Sequence, residues 1–297
     1  MHRYILHNGE IHSSGERLLS PGQVGFLNGW GVFSTLRACE GVLFAYERHF
    51  ARMRADAERM HVPFEFTSED LKGALESLVA ANGAANATLR VVVVRNRGGL
   101  FEGAQITRDA DLVAFTADLT NWGSSVKLGY KAEARHAGSD FAGAKITSWA
   151  QNLTWYEEAH QKGLDEFILL NEAGEVSECT SANIFAIHGS NVITPPLKTS
   201  GCLPGITRAI LLDEIQLSDF TIFERDLTPS ELENSDAVFI TSTTRDLLSV
   251  REIDGEPIAQ SEEAVSKLRS AFLRFREDYV ASRRSVPVLR QPEYSSI

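Results

Sequence analysis

The sequence predicts an α+β fold of two domains built on mostly antiparallel sheets flanked by helices. Three observations carry this. Asn8-Gly9 and Gly189-Ser190 each sit between short extended runs, the signature of a hairpin. Residues 47–60 and 68–81 carry apolar residues at helical spacing between strand-like runs. The stretch Thr120-Asn121-Trp122-Gly123-Ser124-Ser125 is polar and Gly/Ser-containing, and the rhythm changes after it.

In the first half, residues 3–7 and 10–12 flank the Asn-Gly turn. Residues 32–37 alternate apolar and polar, as a strand does, and Gly41 turns the chain into 42–45. In the helix over 47–60, Tyr46, Phe50, Met53, Ala57 and Met60 share one face, and Pro63 follows its end. Ser68-Glu69-Asp70 opens the second helix. Residues 89–94 are a solid β-branched run, read as a strand buried on both faces, and 112–116 as another strand. The division expected is a small N-terminal α/β domain over 1–118, a linker over 119–125, a large C-terminal domain over 126–284 and a polar tail over 285–297.

In the second half, 152–162 reads as a helix with Gly163 as its C-cap. Residues 167–170 and 175–178 are strands around the turn Asn171-Glu172-Ala173-Gly174. Asn183–His188 and Asn191–Thr194 form the hairpin around Gly189-Ser190. Pro204-Gly205 opens a helix over 206–215, 237–242 is a strand, and 262–279 a final helix.

Composition narrows the function. The 297 residues are 43% hydrophobic and 23% charged, enough to bury a sizeable core. Lys and Arg total 29 against 40 Asp and Glu, a net charge of −11 that repels nucleic acid and anionic membranes. Cys39, Cys179 and Cys202 show no CxxC spacing, and the eight histidines form no HxH or HExxH pattern. No metal site and no disulfide framework are expected. No run approaches the ~18 consecutive apolar residues of a membrane span. A cytoplasmic protein is the default expectation.

The chemistry concentrates between Glu178 and Arg208: Glu178-Cys179-Thr180-Ser181-Ala182-Asn183-Ile184-Phe185, then Val192-Ile193-Thr194, then Leu203-Pro204-Gly205-Ile206-Thr207-Arg208. Each piece alone is weak. In this order and spacing they resemble the diagnostic segment of the class IV (fold type IV) pyridoxal-phosphate enzymes, which include branched-chain aminotransferases, D-amino acid aminotransferases and aminodeoxychorismate lyases. The resemblance extends from Asn28-Gly29-Trp30-Gly31-Val32-Phe33 through Arg48-His49-Phe50-Ala51-Arg52-Met53 to Phe239-Ile240-Thr241-Ser242-Thr243-Thr244.

Pyridoxal 5′-phosphate needs an amine, an anion opposite the pyridine nitrogen and donors for the phosphate. The resemblance implies that Lys145, in the low-charge segment Ala142-Gly143-Ala144-Lys145-Ile146-Thr147, is that amine and the catalytic acid/base. Desolvation makes such a lysine nucleophilic. It implies Glu178 for the pyridine nitrogen. For the phosphate it implies Arg52, Thr243 and the helix start at Ile206 and Thr207, where backbone N–H groups and the helix dipole favour an anion. Phe33 and Thr244 match pocket positions. Arg95 and Arg97 are candidates for pairing a substrate carboxylate. One departure stands out: branched-chain enzymes often carry Asn-Tyr shortly after the lysine, and this chain has Ser148-Trp149-Ala150.

The resemblance implies ping-pong transamination through a Schiff base on Lys145, between an amino acid and 2-oxoglutarate, in a homodimer. The substrate stays open. Thr194-Pro195-Pro196-Leu197 and Leu203 to Arg208 look most like branched-chain aminotransferases acting on L-amino acids. Thr241-Ser242-Thr243-Thr244 is shared with the D-amino acid enzymes, beside which stand (R)-amine transaminases. Val94-Arg95-Asn96-Arg97-Gly98-Gly99 and Glu178-Cys179 look like 4-amino-4-deoxychorismate lyases, which release pyruvate. Leu89-Arg90-Val91 lacks the Tyr-x-Arg of branched-chain enzymes. A catalytically silent binding protein of the same fold is the non-enzymatic alternative, and the retention of Lys145, Glu178 and Arg52 argues against it.

Overall fold

The computed structural model describes residues 1–100, 102–259 and 261–284. The polar tail expected over 285–297 lies outside these residues. The chain forms two sheets in which ten strand pairings are antiparallel and three parallel. This is the α+β class expected.

The first sheet takes its strands from β1 (Tyr4–His7), β2 (Glu10–Ser13), β3 (Gly31–Cys39), β4 (Val42–Leu43), β5 (Ala87–Arg95) and β6 (Ala110–Ala117), in the order β2-β1-β6-β5-β3-β4. A short helix α1 (Val24–Asn28) precedes β3, and α2 (Tyr46–Arg59) and α3 (Ser68–Ala81) fill the gap between β4 and β5. Leu89, Val91, Val93 and Leu112 pack against Met53, Ala57, Leu71, Leu75 and Leu78 of these helices. Thr67 caps α3, its side chain accepting from the Asp70 N–H.

Two sequence expectations change here. The run 89–94 is buried on one face only: Ala87, Leu89, Val91 and Val93 are buried, while Thr88, Arg90, Val92 and Val94 are half-buried on the other. In α2 the innermost residues are Tyr46, His49, Met53, Asp56 and Ala57. Phe50 and Met60, expected on the core stripe, are half-buried at its margin. The two polar residues contact Ser34 Oγ and the Lys145 N–H, so this helix has more to do than pack.

The second sheet runs β12-β11-β10-β13-β14-β7-β8-β9, with β15 on β14. Its strands are β7 (Ser125–Lys131), β8 (Glu166–Leu170), β9 (Val176–Cys179), β10 (Asn183–His188), β11 (Asn191–Thr194), β12 (Thr221–Glu224), β13 (Ala237–Ser242), β14 (Asp246–Ile253) and β15 (Glu256–Pro257). Its helices are α4 (Ala150–Gln161), α5 (Leu197–Ser200), α6 (Ile206–Asp213), α7 (Pro229–Glu233) and α8 (Glu262–Arg283). On one face Phe185 and Phe239 stack at 4.9 Å under Ile210, Leu268 and Phe272. Lys162 caps α4 and Gly163 follows at φ 75°, its N–H bonding the His160 carbonyl at 3.0 Å. The glycine thus stands one place beyond the expected cap.

Strands β7 and β14 are not apparent in the sequence. A Gly129 inside β7 reads as a break, yet a Cβ there would stand 2.6 Å from Leu164 Cδ1, so the glycine admits a crossing helix end. In β14 a bulge between Val250 and Glu252 shifts the alternation. Ser125, the last residue of the expected linker, already pairs with Ser249.

Among the links that join the two halves of the fold, two anchor β3. Residues 145–147 run antiparallel to the start of β3: Val32 bridges Ile146, Phe33 N–H donates to the Lys145 carbonyl at 3.0 Å, and Thr147 N–H to the Gly31 carbonyl at 2.9 Å. Asp246, at φ 57°, accepts from Arg37 of β3 at 2.9 Å and from Arg276 of α8 at 2.7 Å. All three side chains are more than four-fifths buried. Removing the shared carboxylate strands two arginines side by side. Asp246→Ala is therefore expected to lose about 2–4 kcal/mol of stability, measured by urea denaturation. A loss under ~0.5 kcal/mol would show that solvent already carries these charges.

Candidate active site

A cavity of about 680 Å³ is lined from both sheets. From the first come Phe33 and Thr35 of β3, Arg52 of α2, and Thr88 and Arg90 of β5. Alternation explains the last two: Leu89 and Val91 take the core face, so their neighbours must take the other. From the second come Glu178 of β9, Ile206 and Thr207 of α6, and Thr243 to Arg245 of the turn between β13 and β14. Lys145 lies between the two groups.

The main chain of Lys145 is held at both ends. Its carbonyl accepts from Phe33 and its N–H donates to Asp56 Oδ2 at 3.2 Å. Its Nζ stands 4.6 Å from the centroid of the Phe33 ring. Burial pushes the amine down to about 7, with Arg52 and Arg90 adding to the effect and Glu178 and Asp56 opposing it. A large fraction is neutral near pH 7, as a nucleophile requires.

Glu178 is buried, and both carboxylate oxygens are engaged. Arg135 Nε donates to one at 3.0 Å and the Leu203 N–H to the other at 3.1 Å. The carboxylate is thus fixed at the cavity wall as half of an ion pair. Arg52 donates from Nη1 to the Pro204 carbonyl and from Nη2 to Ser34 Oγ, each at 3.1 Å. It makes no ion pair with Asp56, the helical neighbour four residues on, and its buried Nε has no partner among the described residues.

Helix α6 offers its N-terminus to the same cavity. Gly205, Ile206 and Thr207 all line it, and the first helical bond runs from Ala209 N–H to the Gly205 carbonyl at 2.9 Å. The N–H groups of the first turn precede that bond and have no helical acceptor. No side chain caps this end. A Cβ at Gly205 would fall 2.0 Å from Asn183 Oδ1, so the glycine leaves room for this amide, whose Nδ2 donates to the Leu203 carbonyl at 2.9 Å. Thr243 and Thr244 line the same cavity.

Two expected residues are elsewhere. Arg95 and Arg97 do not line the cavity. Arg95 donates to the carbonyls of Arg97 at 2.7 Å and His61 at 2.6 Å and lies over Trp30. It shares the parity of Leu89, Val91 and Val93, which turns it from the cavity face. Arg97 is exposed and pairs with Glu102 at 3.0 Å and Asp109 at 3.5 Å.

Three cavity arginines were not picked out from the sequence. Arg135 holds Glu178. Arg245 pairs with buried Glu166 at 2.5 Å, donates to Ser181 Oγ at 2.9 Å and lies 3.9 Å over the Trp122 ring. Arg90 lies over the Phe33 ring at 4.5 Å, on the ring that Lys145 also meets. Burial alone lowers it; among the described residues no carboxylate pairs with it. The signal available was parity: an arginine inside a β-branched strand, on the face opposite its leucine and valines.

The donor set fits pyridoxal 5′-phosphate. An amine near neutrality, a fixed carboxylate, an arginine with an unused buried N–H, and an uncapped helix start entered through a glycine face one cavity.

A family model described as amino-transferase class IV matches residues 31–253. The chain is 28% identical over 260 residues to a D-alanine aminotransferase of Bacillus licheniformis, covering 86% of this chain and 89% of that one. It is 28% identical over 272 residues to a putative branched-chain-amino-acid aminotransferase of Methanocaldococcus jannaschii, covering 89% and 93%. Its fold superposes on the branched-chain amino acid aminotransferase of Escherichia coli with a TM-score of 0.84 at 22% identity, covering 93% and 95%. The chain belongs to the class IV aminotransferases, the fold type IV enzymes that use pyridoxal 5′-phosphate.

Proposed function

We propose that this aminotransferase moves an amino group between a branched-chain L-amino acid and 2-oxoglutarate. The observation that carries the reading is Arg90: a half-buried cation with no paired carboxylate among the described residues, on the same aromatic ring as Lys145. Such a group calls for a substrate carboxylate. Phe33, Phe115 and Trp149 line the cavity with apolar surface, which suits an aliphatic side chain. Arg90 takes the role first expected of Arg95 and Arg97.

In this reading Lys145 holds the cofactor, Glu178 faces the pyridine nitrogen, and Arg52, Thr243 and the N–H groups of Ile206 and Thr207 hold the phosphate. When bound, the cofactor supplies an electron sink for the substrate α-carbon. Lys145 moves the proton to and from that carbon, which its depressed basicity suits near neutral pH. Arg90 pairs the carboxylate and so orients the α-carbon toward Nζ. The walls exclude water while the proton is in transit. Glu178, tied by Arg135 and the Leu203 N–H, remains fixed throughout.

A homodimer belongs to the same proposal. Phe26 and Leu27 of α1 and Leu100 of the loop after β5 are exposed, at 60%, 52% and 81%. Val24 packs against Gly99, so these apolar residues sit close together on one end of the first sheet. Exposed apolar clusters of this kind mark contact surfaces.

Three outcomes test the proposal. In the apoprotein, labelling of Lys145 by an amine reagent should rise with pH about a midpoint near 7, because burial disfavours the protonated form. A midpoint near 10.5, the ordinary lysine value, contradicts the assignment of the desolvated amine. Arg90→Leu should lower kcat/KM for L-leucine on the order of 100-fold, with cofactor binding retained. Arg90→Lys, which keeps the charge but loses the fork, should fall between. An unchanged KM in both variants removes Arg90 from the substrate site. A panel of L-leucine, L-valine, D-alanine, an (R)-amine and aminodeoxychorismate then fixes the substrate; pyruvate release from the last without a keto acceptor sinks the transaminase reading.

A further inference from the structure

We propose that Ser34 and His49 are positioning residues that preset the Arg52 guanidinium for the cofactor phosphate. The inference rests on the reading that Arg52 binds that phosphate.

The contacts form a chain from core to cavity. Arg52 Nη2 donates to Ser34 Oγ at 3.1 Å, and Ser34 Oγ lies 2.9 Å from His49 Nδ1. A guanidinium carries donors only, so the serine oxygen is the acceptor in the first contact. The serine proton then has one acceptor within reach, His49 Nδ1. This orders the chain: Arg52 to Ser34 to His49, each donating to the next. This order requires the neutral imidazole tautomer with its proton on Nε2.

Burial supports a fixed arrangement. Ser34 and His49 are 0% and 1% exposed, so no solvent competes for these bonds. Burial keeps His49 neutral, and the charges that face it, Arg52 on its own helix and Lys145 from the opposite segment, act in the same direction. A protonated His49 could not accept from Ser34, and the chain would break. His49 Nε2 is itself buried with no partner among the described residues. A histidine there for packing alone would be a poor choice over leucine, because it leaves a polar atom unsatisfied. Its acceptor nitrogen explains its presence.

The consequence for Arg52 is geometric. Its five N–H groups include one held by Ser34 and one by the Pro204 carbonyl. Two anchors on different nitrogens fix the plane of the guanidinium. Three N–H groups remain, including the unpartnered Nε. An arginine held this way has lost its rotational freedom before any ligand arrives. Ser34 comes from β3 and the histidine from α2, so the register between strand and helix sets the arginine.

The test compares two ligands of the apoprotein. Pyridoxal 5′-phosphate and pyridoxal differ only in the phosphate, and titration of each by absorbance yields an apparent Kd. Ser34→Ala and His49→Phe should each raise the Kd of the phosphorylated ligand about tenfold and leave that of pyridoxal unchanged. His49→Asn, which can offer an oxygen near the Nδ1 position, should return it to within about threefold of wild type. Arg52→Gln should abolish most of the preference for the phosphorylated ligand. If Arg52→Gln abolishes it while Ser34→Ala and His49→Phe retain it, the positioning role is wrong and the Arg52 reading stands. If Arg52→Gln retains it, the Arg52 reading fails. Nitrogen NMR of wild-type His49 gives an independent check: a proton on Nδ1 overturns the chain whatever the variants do.

Discussion

The site depends on one short stretch of main-chain pairing. Residues 145–147 belong by sequence to the half of the chain that builds the second sheet, yet they pair with the start of β3 in the first. Two backbone bonds and the bridge of Val32 to Ile146 hold them there. The lysine is thereby fixed to the first sheet while Glu178, α6 and the Thr243 turn are fixed to the second. Without this pairing Lys145 would ride on a loop, and its Nζ would have no defined relation to Phe33, Arg90 or Asp56. Side-chain precision at such a site comes from the rigidity of what lies beneath it.

Electrostatics divides the cavity into settled and unsettled charges. In a chain of net charge −11, five cations border this one space: Arg52, Arg90, Arg135, Lys145 and Arg245. Arg135 and Arg245 are matched by the buried carboxylates Glu178 and Glu166. Lys145 escapes the cost of burial by losing its proton readily. Arg52 and Arg90 remain charged without a paired carboxylate. A cavity that collects uncompensated positive charge in an acidic protein is built for anions, and the two arginines lie on different walls, one on α2 and one on β5. That arrangement suits two separate anionic groups, such as a phosphate and a carboxylate.

Much of this was legible in the sequence, for reasons that vary by element. Hairpins announced themselves through Asn-Gly and Gly-Ser, because few residues tolerate the backbone such turns need. Helices α2 and α3 showed in their spacing. The family motif brought Lys145, Glu178, Arg52, Ile206, Thr207, Thr243, Thr244 and Phe33 to notice, and all eight line one cavity. What stayed hidden was what depends on partners distant in sequence. Strand β7 was obscured by Gly129, whose reason lies with Leu164, and β14 by its bulge. Arg95 and Arg97 were chosen for the bidentate pairing an arginine offers a carboxylate, whereas the structure distinguishes the arginines by strand parity. Counting alternation from Leu89 would have turned Arg90 inward and Arg95 away. His49 and Asp56 interrupted the apolar stripe of α2, a mismatch accounted for by their contacts with Ser34 Oγ and the Lys145 N–H.

Trp122 links the cavity to the connection between the sheets. It belongs to the segment joining β6 to β7, it lines the cavity, and Arg245 stacks on its face while bound to Glu166. The tether is therefore also a wall. Insertions and deletions there are not neutral changes of length, as they are in most surface connections. They move the indole, and with it the boundary of the space offered to substrate. Selectivity in this enzyme can drift through its hinge, without any change in the residues that carry out the reaction.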